Sequence, residues 1–134
     1  MTSSSAGDSP EAEPSDLSGL CVLVVEDSWS VSAGLKMLLE AWGAEVIGPA
    51  ASVADAVHMM SLRTPDVALV DMSLRRGERS DGLIDELYGR GIRVVVISGY
   101  AEVPLAPGKV AAFLQKPIKH ELLLASLRPM TKRE

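Results

Sequence analysis

Hydrophobic and polar positions alternate along this chain between two kinds of segment. Short runs of consecutive apolar residues are typical of strands buried on both faces of a parallel sheet. Between these runs lie segments in which apolar residues recur every three or four positions, as they do along one face of a helix. The apolar runs that predict strands cover residues 21–25, 44–49, 67–70, 92–97 and 109–114.

Four segments with helical spacing follow the first, second, third and fifth predicted strands. They cover residues 29–42, 53–62, 83–88 and 118–128. Ser28 and Ser52 precede the first two, and a serine at this position caps a helix because its hydroxyl accepts a first-turn N–H. Residues 99–108 follow the fourth strand and contain Pro104, Pro107 and Gly108, which argue against a regular helix.

Strands that alternate with helices form a parallel sheet covered by helices on both faces. We therefore predict an α/β fold of the flavodoxin-like (CheY-like), doubly wound type. Its five parallel strands take the order 2-1-3-4-5, and the fourth helix is short or absent.

Composition adds the domain boundaries and excludes some partners. Residues 1–18 are rich in Ser, Pro and acidic side chains, which predicts a disordered acidic tail before a folded domain at 19–130 and a C-terminal tail at 131–134. The net charge of −5 and the few aromatic residues argue against nucleic acid as a partner. There is one cysteine, Cys21, and no membrane-spanning run or signal pattern, so we expect a cytoplasmic protein without a membrane partner.

Reactive or metal-binding side chains stand at the ends of four predicted strands. They are Glu26 and Asp27 after the first strand, Asp71 after the third, Ser98 after the fourth and Lys116 after the fifth. Because the carboxyl ends of parallel strands share one edge of the sheet, these side chains should converge at a crevice there. Crowded carboxylates repel one another, and oxygen ligands suit Mg²⁺ better than zinc. The sequence predicts a Mg²⁺ site held by Asp27, Asp71 and the backbone carbonyl of Ser73.

Such a site is suited to phosphoryl transfer onto a carboxylate. Asp71 is the expected nucleophile and would form an aspartyl phosphate, while Mg²⁺ neutralises charge on the phosphoryl oxygens. Lys116 would neutralise a further oxygen, and the Ser98 hydroxyl would donate to another. Residues 75–82 form a polar loop whose arginines are either solvated or attract a phosphate or an acidic partner.

These motifs resemble the receiver domain of bacterial two-component response regulators. The resemblance rests on Glu26-Asp27, Leu69-Val70-Asp71, Val96-Ile97-Ser98-Gly99 and Lys116-Pro117, and it extends from residue 20 to about residue 128. It implies that Asp71 takes phosphate from a sensor histidine kinase or phosphotransfer protein, and that Glu26 and Asp27 surround Mg²⁺. It also implies a phosphoacceptor that assists its own phosphorylation and dephosphorylation without being an enzyme. Phosphorylation would draw Ser98 inward and repack Phe113, whose simpler role is that of a core residue.

The run Ser98-Gly99-Tyr100 resembles a receiver subfamily that has Thr-Gly-Tyr at this place and often works with HWE-type histidine kinases. Tyr100 and the segment to Gly108 are the part expected to change most on activation. Six residues follow Arg128, so we expect a single-domain regulator. It would signal through a downstream protein target, relay phosphate, or drain phosphate from a kinase.

Two alternative functions remain open. A degenerate receiver would serve as an interaction module that does not depend on phosphorylation. A phosphohydrolase of the haloacid dehalogenase type would use Asp27 as its nucleophile, but it needs a second aspartate two residues later, where Trp29 stands. It also needs a second acid pair after the lysine, and this chain has none there.

Overall fold

A sheet of five parallel strands lies at the centre of the computed structural model, which describes residues 16–74, 79–99 and 108–131. The strands, in chain order, are β1 (Cys21–Val25), β2 (Glu45–Ala50), β3 (Val67–Asp71), β4 (Arg93–Ser98) and β5 (Ala112–Gln115). Their order in the sheet is β2-β1-β3-β4-β5, and every neighbouring pair is parallel. The predicted fold class and strand order are confirmed.

Four α-helices connect or follow these strands within the described ranges. They are α1 (Trp29–Ala41), α2 (Val53–Leu62), α3 (Asp81–Gly89) and α4 (His120–Leu127), and a short 3₁₀ turn at Arg128–Met130 follows α4. Ser28 and Ser52 cap α1 and α2 as predicted, since their side chains accept the N–H groups of Val31 and Asp55. Residues 100–107, where a short or missing helix was expected, lie outside the described residues. Within the described part of the chain, no helix has the length and apolar character needed to cross a bilayer.

The core has two layers because successive side chains of a strand point to opposite faces of the sheet. One layer joins the sheet to α1 and α4, and its buried members include Val24, Leu39, Leu69, Ile97, Leu123 and Leu127. The other joins the sheet to α2 and α3, and its buried members include Leu23, Met60, Val70, Ile84, Leu87 and Val96. Strands β1 and β3 are buried at every position, which explains their unbroken apolar runs.

Three predicted element boundaries are wrong by two or three residues. β5 begins at Ala112 rather than at residue 109, and Lys109 lies before the strand ladder, where it forms an ion pair with Asp85 of α3 at 2.7 Å. α3 begins two residues early, at Asp81. α4 begins at His120 rather than at residue 118, because its first turn bonds back to Lys119, whose carbonyl accepts the N–H of residue 123.

The folded part also begins earlier than predicted. Leu17 was assigned to the tail, but its side chain is fully buried and its N–H donates to the carbonyl of Trp42 at 2.8 Å. The neighbouring Asp16 forms an ion pair with Arg128 at 3.0 Å. A single leucine among polar residues has no periodic pattern, so the sequence alone did not show that Leu17 belongs to the core. Residues 1–15 lie outside the described residues.

The pairing of β1 with β2 contains one extra residue at Gly48 and Pro49. Leu23 pairs with Ile47, but Val25 pairs with Ala50, so two steps on β1 match three on β2. Gly48 has a φ of +98°, and a Cβ there would lie 2.8 Å from the Ala50 nitrogen. The bulge brings the Ala50 carbonyl to the N–H of Glu26, at 2.9 Å. It therefore helps to fix the backbone where β1 ends.

Replacing Gly48 by alanine should lower the free energy of unfolding by about 3 kcal/mol. A left-handed backbone costs an L-residue about 1–2 kcal/mol, and overpacking adds about 1–3 kcal/mol. Gly91→Ala is the matched control, because Gly91 also has a positive φ, of +77°, but has open space around it. Urea denaturation of both variants measures the two effects. Equal losses would show that the close contact at Gly48 contributes nothing.

Candidate functional site

Three carboxylates meet at the carboxyl edge of the sheet. Glu26 and Asp27 directly follow β1, and Asp71 is the last residue of the neighbouring strand β3. One carboxylate oxygen from each residue lies within 4.8 Å of the other two. Glu26 and Asp71 are buried, with 2% and 4% of their surface exposed, and Asp27 is half-buried. The structure thus brings together the three acidic residues that the sequence singled out.

One ammonium group contacts two of these carboxylates. The Nζ atom of Lys116 lies 3.0 Å from Asp71 Oδ2 and 3.1 Å from Glu26 Oε1. The lysine is held by its backbone, since its N–H donates to the carbonyl of Ser98 at 2.7 Å. Partial burial acts to lower the pKa of Lys116, but its hydrogen bond to Asp71 and the nearby charges of Glu26 and Asp71 outweigh it and raise that pKa. The lysine therefore stays protonated throughout the neutral range.

Backbone N–H groups set the orientation of both buried carboxylates. The N–H of Ser73 donates to Asp71 Oδ1 at 3.1 Å, so the two oxygens of Asp71 have different partners. The N–H of Ser28 donates to Glu26 Oε2 at 3.0 Å. The other oxygen, Glu26 Oε1, faces the Lys116 ammonium at angles outside hydrogen-bond geometry and accepts no hydrogen bond from the described residues. Burial raises the pKa of Glu26 above its usual value, although the Ser28 N–H and Lys116 oppose this.

The donor set at this edge fits a hard divalent cation. Every side-chain donor of the cluster is a carboxylate oxygen, which is the ligand type that Mg²⁺ prefers. Three ionised carboxylates and one ammonium leave two negative charges, which one divalent cation would balance. The buried Glu26 Oε1 also accepts no hydrogen bond from the described residues, and it shares the Lys116 ammonium with Asp71. The residues present therefore fit Mg²⁺.

The remaining predicted site residues are Ser98, Phe113 and Tyr100, and they differ in burial and in whether the structure describes them. Ser98 is buried at the end of β4, where its carbonyl holds the Lys116 backbone. Phe113 lies on β5, where it pairs with Val96 of β4, and it is 37% exposed, so it is not a simple core residue. Tyr100 lies outside the described residues, so its predicted role in activation stays a prediction.

The sequence analysis missed one residue next to Asp71. Ser80 was assigned to a polar loop, but it is fully buried and its hydroxyl donates to the backbone carbonyl of Asp71 at 2.6 Å. The available signal was its position directly before α3, where a serine is favoured as a helix cap. The side chain makes no cap hydrogen bond to α3, so that signal would have suggested the wrong partner.

Comparison with known proteins gives concordant matches. The family model of the response regulator receiver domain matches residues 22–128. Among curated proteins, the transcriptional regulatory protein PdtaR of Mycobacterium tuberculosis is 24% identical over 110 residues, which cover 79% of this chain and 54% of PdtaR. The chain thus spans about half the length of the curated relatives that it matches.

Solved structures match over nearly the whole length of two receiver domains. The CheY-like response regulator receiver domain from Methylobacillus flagellatus is 27% identical with a TM-score of 0.73, and the match covers 84% of this chain and 99% of that one. The signal receiver domain of a modulated diguanylate cyclase from Desulfovibrio desulfuricans is 26% identical with a TM-score of 0.72. That match covers 83% of this chain and 92% of the other.

Without added metal, Glu26→Gln should raise the free energy of unfolding at pH 7. Because the pKa of Glu26 is raised in the folded state, folding favours the protonated carboxyl. The stability that this side chain contributes is therefore complete below its unfolded pKa of about 4.5, and it is lost as the pH rises through its folded pKa. Glutamine resembles the neutral carboxyl, so the difference in unfolding free energy between Glu26→Gln and wild type should shrink as the pH falls towards 4. Urea denaturation from pH 4 to 8 measures this. Glu40→Gln, at an exposed position on α1, controls for the change in net charge. A Glu26→Gln variant that is less stable than wild type at pH 7 would contradict the prediction.

Proposed function

The chain belongs to the response regulator receiver domain family, and on that premise we propose that Asp71 accepts a phosphoryl group from a phosphohistidine of a partner protein in a Mg²⁺-dependent reaction. Receiver domains are phosphoacceptor signalling proteins and are not enzymes in the general sense. One observation carries the proposal. The buried Asp71 carboxylate ends β3 within reach of the Lys116 ammonium and of two further carboxylates.

The transfer step exchanges one bond to phosphorus for another. A carboxylate oxygen of Asp71 forms a bond to phosphorus while the bond from phosphorus to the histidine nitrogen breaks, and that nitrogen keeps the electron pair. The Ser73 N–H and the Lys116 ammonium hold the Asp71 carboxylate in one orientation before the reaction. Lys116 then neutralises charge on a phosphoryl oxygen, and the Ser98 hydroxyl donates to another. In a separate hydrolysis step, a water oxygen forms a bond to phosphorus while the bond from phosphorus to the Asp71 oxygen breaks, so phosphate leaves and Asp71 returns to a free carboxylate.

Mg²⁺ would be held by Asp27, Asp71 and the Ser73 carbonyl, with Glu26 beside them. When bound, the ion supplies positive charge to the phosphoryl oxygens. The proposal is supported by the all-oxygen donor set, by the excess of two negative charges and by the buried acceptor Glu26 Oε1. Glu26 would thereby gain a second cationic neighbour beside the Lys116 ammonium.

A groove next to Lys116 supports docking of the phosphoryl donor protein. Receiver domains interact with histidine kinases or phosphotransfer proteins. The groove has a volume of about 830 Å³ and lies between α1 and the start of α4, with a mostly apolar lining that includes Gly34, Met37 and Ile118. Met37 is 72% exposed, and Lys116 also lines the groove. A partner with an apolar helix surface seated here would bring its phosphohistidine to Asp71. The narrower expectation of an HWE-type kinase rests on Ser98-Gly99-Tyr100 and stays a prediction.

Incubation with acetyl phosphate and Mg²⁺ should add one phosphoryl group to the wild-type chain, as measured by intact mass. Asp71→Asn should gain none, because the amide is not a nucleophile of this kind, and a chelator should abolish the gain in the wild type. Asp85→Asn is the matched control, since Asp85 is an exposed acid on α3 that pairs with Lys109.

Two results would contradict the proposal. A gain that survives in Asp71→Asn would place the phosphoacceptor elsewhere. No gain in the wild type, even though Mg²⁺ binds, would favour an interaction module that works without phosphorylation. That result would redirect the search to partners of the unmodified chain.

A further inference from the structure

We propose that Ser80 is a positioning residue for Asp71, which it holds through the backbone carbonyl of that aspartate. The inference rests on the proposed function, because the group that Ser80 positions is the proposed phosphoacceptor. The hydrogen bonds of Ser80 go to backbone groups and not to the carboxylates of the acidic cluster. Ser80 acts on the backbone that carries Asp71 and Ser73.

Ser80 joins the end of β3 to the start of α3 by three hydrogen bonds. Its hydroxyl donates to the Asp71 carbonyl at 2.6 Å, and its N–H donates to the Met72 carbonyl at 3.2 Å. Its own carbonyl accepts the N–H of Ile84 in the first turn of α3, at 2.9 Å. The residue is fully buried, so water does not compete for these bonds.

The Asp71 carbonyl lies one residue past the last pair of the ladder between β3 and β1. The ladder between β1 and β3 ends with the pair Val25 and Val70, so the carbonyl of Asp71 is beyond the last pair on that side. The N–H of Glu26, the next residue of the chain after β1, donates to Ala50 of β2 instead. The Ser80 hydroxyl therefore donates to a carbonyl that lies just past the last pair of the β1–β3 ladder.

The same contact fixes the turn that orients the carboxylate. Asp71 Oδ1 accepts the N–H of Ser73, and Ser73 is held in turn by an antiparallel bridge to Arg79, next to Ser80. Asp71 Oδ2 is left to Lys116. Rotation of the Asp71 carbonyl would move the Ser73 N–H, and with it the Ser73 carbonyl that is proposed as a Mg²⁺ ligand. Loss of the Ser80 hydroxyl should therefore loosen the metal site and the phosphoacceptor together.

The test compares Ser80→Ala with Ser32→Ala. Ser32 is the matched control because it is also buried, at 3% exposed, and its hydroxyl also donates to a backbone carbonyl, that of Trp29, at 3.1 Å. Three quantities are measured: hydrogen exchange of the Ser73 amide without metal, Mg²⁺ affinity by tryptophan fluorescence, and the rate of phosphorylation by acetyl phosphate at saturating Mg²⁺. Removing a residue that supports a metal ligand typically costs about 10–100-fold in affinity or activity. We expect Ser80→Ala to exchange the Ser73 amide faster, to bind Mg²⁺ more weakly and to be phosphorylated more slowly, each by roughly tenfold.

Denaturation in urea separates positioning from stability. If Ser80→Ala and Ser32→Ala lose similar stability but only Ser80→Ala exchanges Ser73 faster and binds Mg²⁺ more weakly, the proposal holds. Ser73 exchange and Mg²⁺ affinity that match the wild type would overturn it, as would equal changes in both variants. Because neither quantity requires phosphorylation, this result is independent of whether the chain accepts phosphate. Ser80→Cys, which keeps the shape and is a weak donor, serves if the alanine variant does not fold.

Discussion

One ammonium group shared by two buried carboxylates is the interaction on which the site depends. Two carboxylates this close raise each other's free energy when both are ionised, and burial adds a desolvation cost. The Lys116 ammonium offsets part of that cost for both Asp71 and Glu26, at 3.0 and 3.1 Å. It does not offset all of it, because the cluster contains three carboxylates and Lys116 pairs with only two of them. The unliganded site is therefore held in a state that further positive charge would stabilise.

The pairing of β1 with β3 determines whether Glu26 and Asp71 lie next to each other. Val25 pairs with Val70 in the parallel register of β1 and β3, so the next residues along, Glu26 and Asp71, lie side by side at the carboxyl edge of the sheet. A slip of one residue would move Asp71 by about 3.3 Å and turn its side chain to the other face. The register is fixed by the apolar residues on both faces of β3, all of which are buried. The geometry of the acidic cluster is thus a consequence of core packing, and the acidic residues themselves contribute repulsion.

Sequence patterns predicted the features that follow from strands buried on both faces, namely the sheet and the residues at its carboxyl edge. They missed residues whose place in the structure depends on a single contact. The unbroken apolar runs of β1, β3 and β4 predicted the sheet and its order, and the residues that end these strands predicted the acidic cluster. Leu17 was missed because one apolar residue has no period. Ser80 was missed because its partner is a backbone carbonyl nine positions away, which no local pattern reports. Lys109 was wrongly placed in β5, and its ion pair with Asp85 of α3 is likewise a single contact that no local pattern reports.

The irregular β2 strand has a consequence for the outer boundary of the sheet. β2 is an edge strand, and an open edge presents backbone groups that can recruit a strand from another molecule and start aggregation. Pro49 has no N–H to offer such a strand, and the bulge at Gly48 bends the edge away from the straight geometry that a newcomer would need. The opposite edge, β5, is only four residues long. The turn that presents Ala50 to Glu26 thereby also makes the β2 edge a poor template for a further strand.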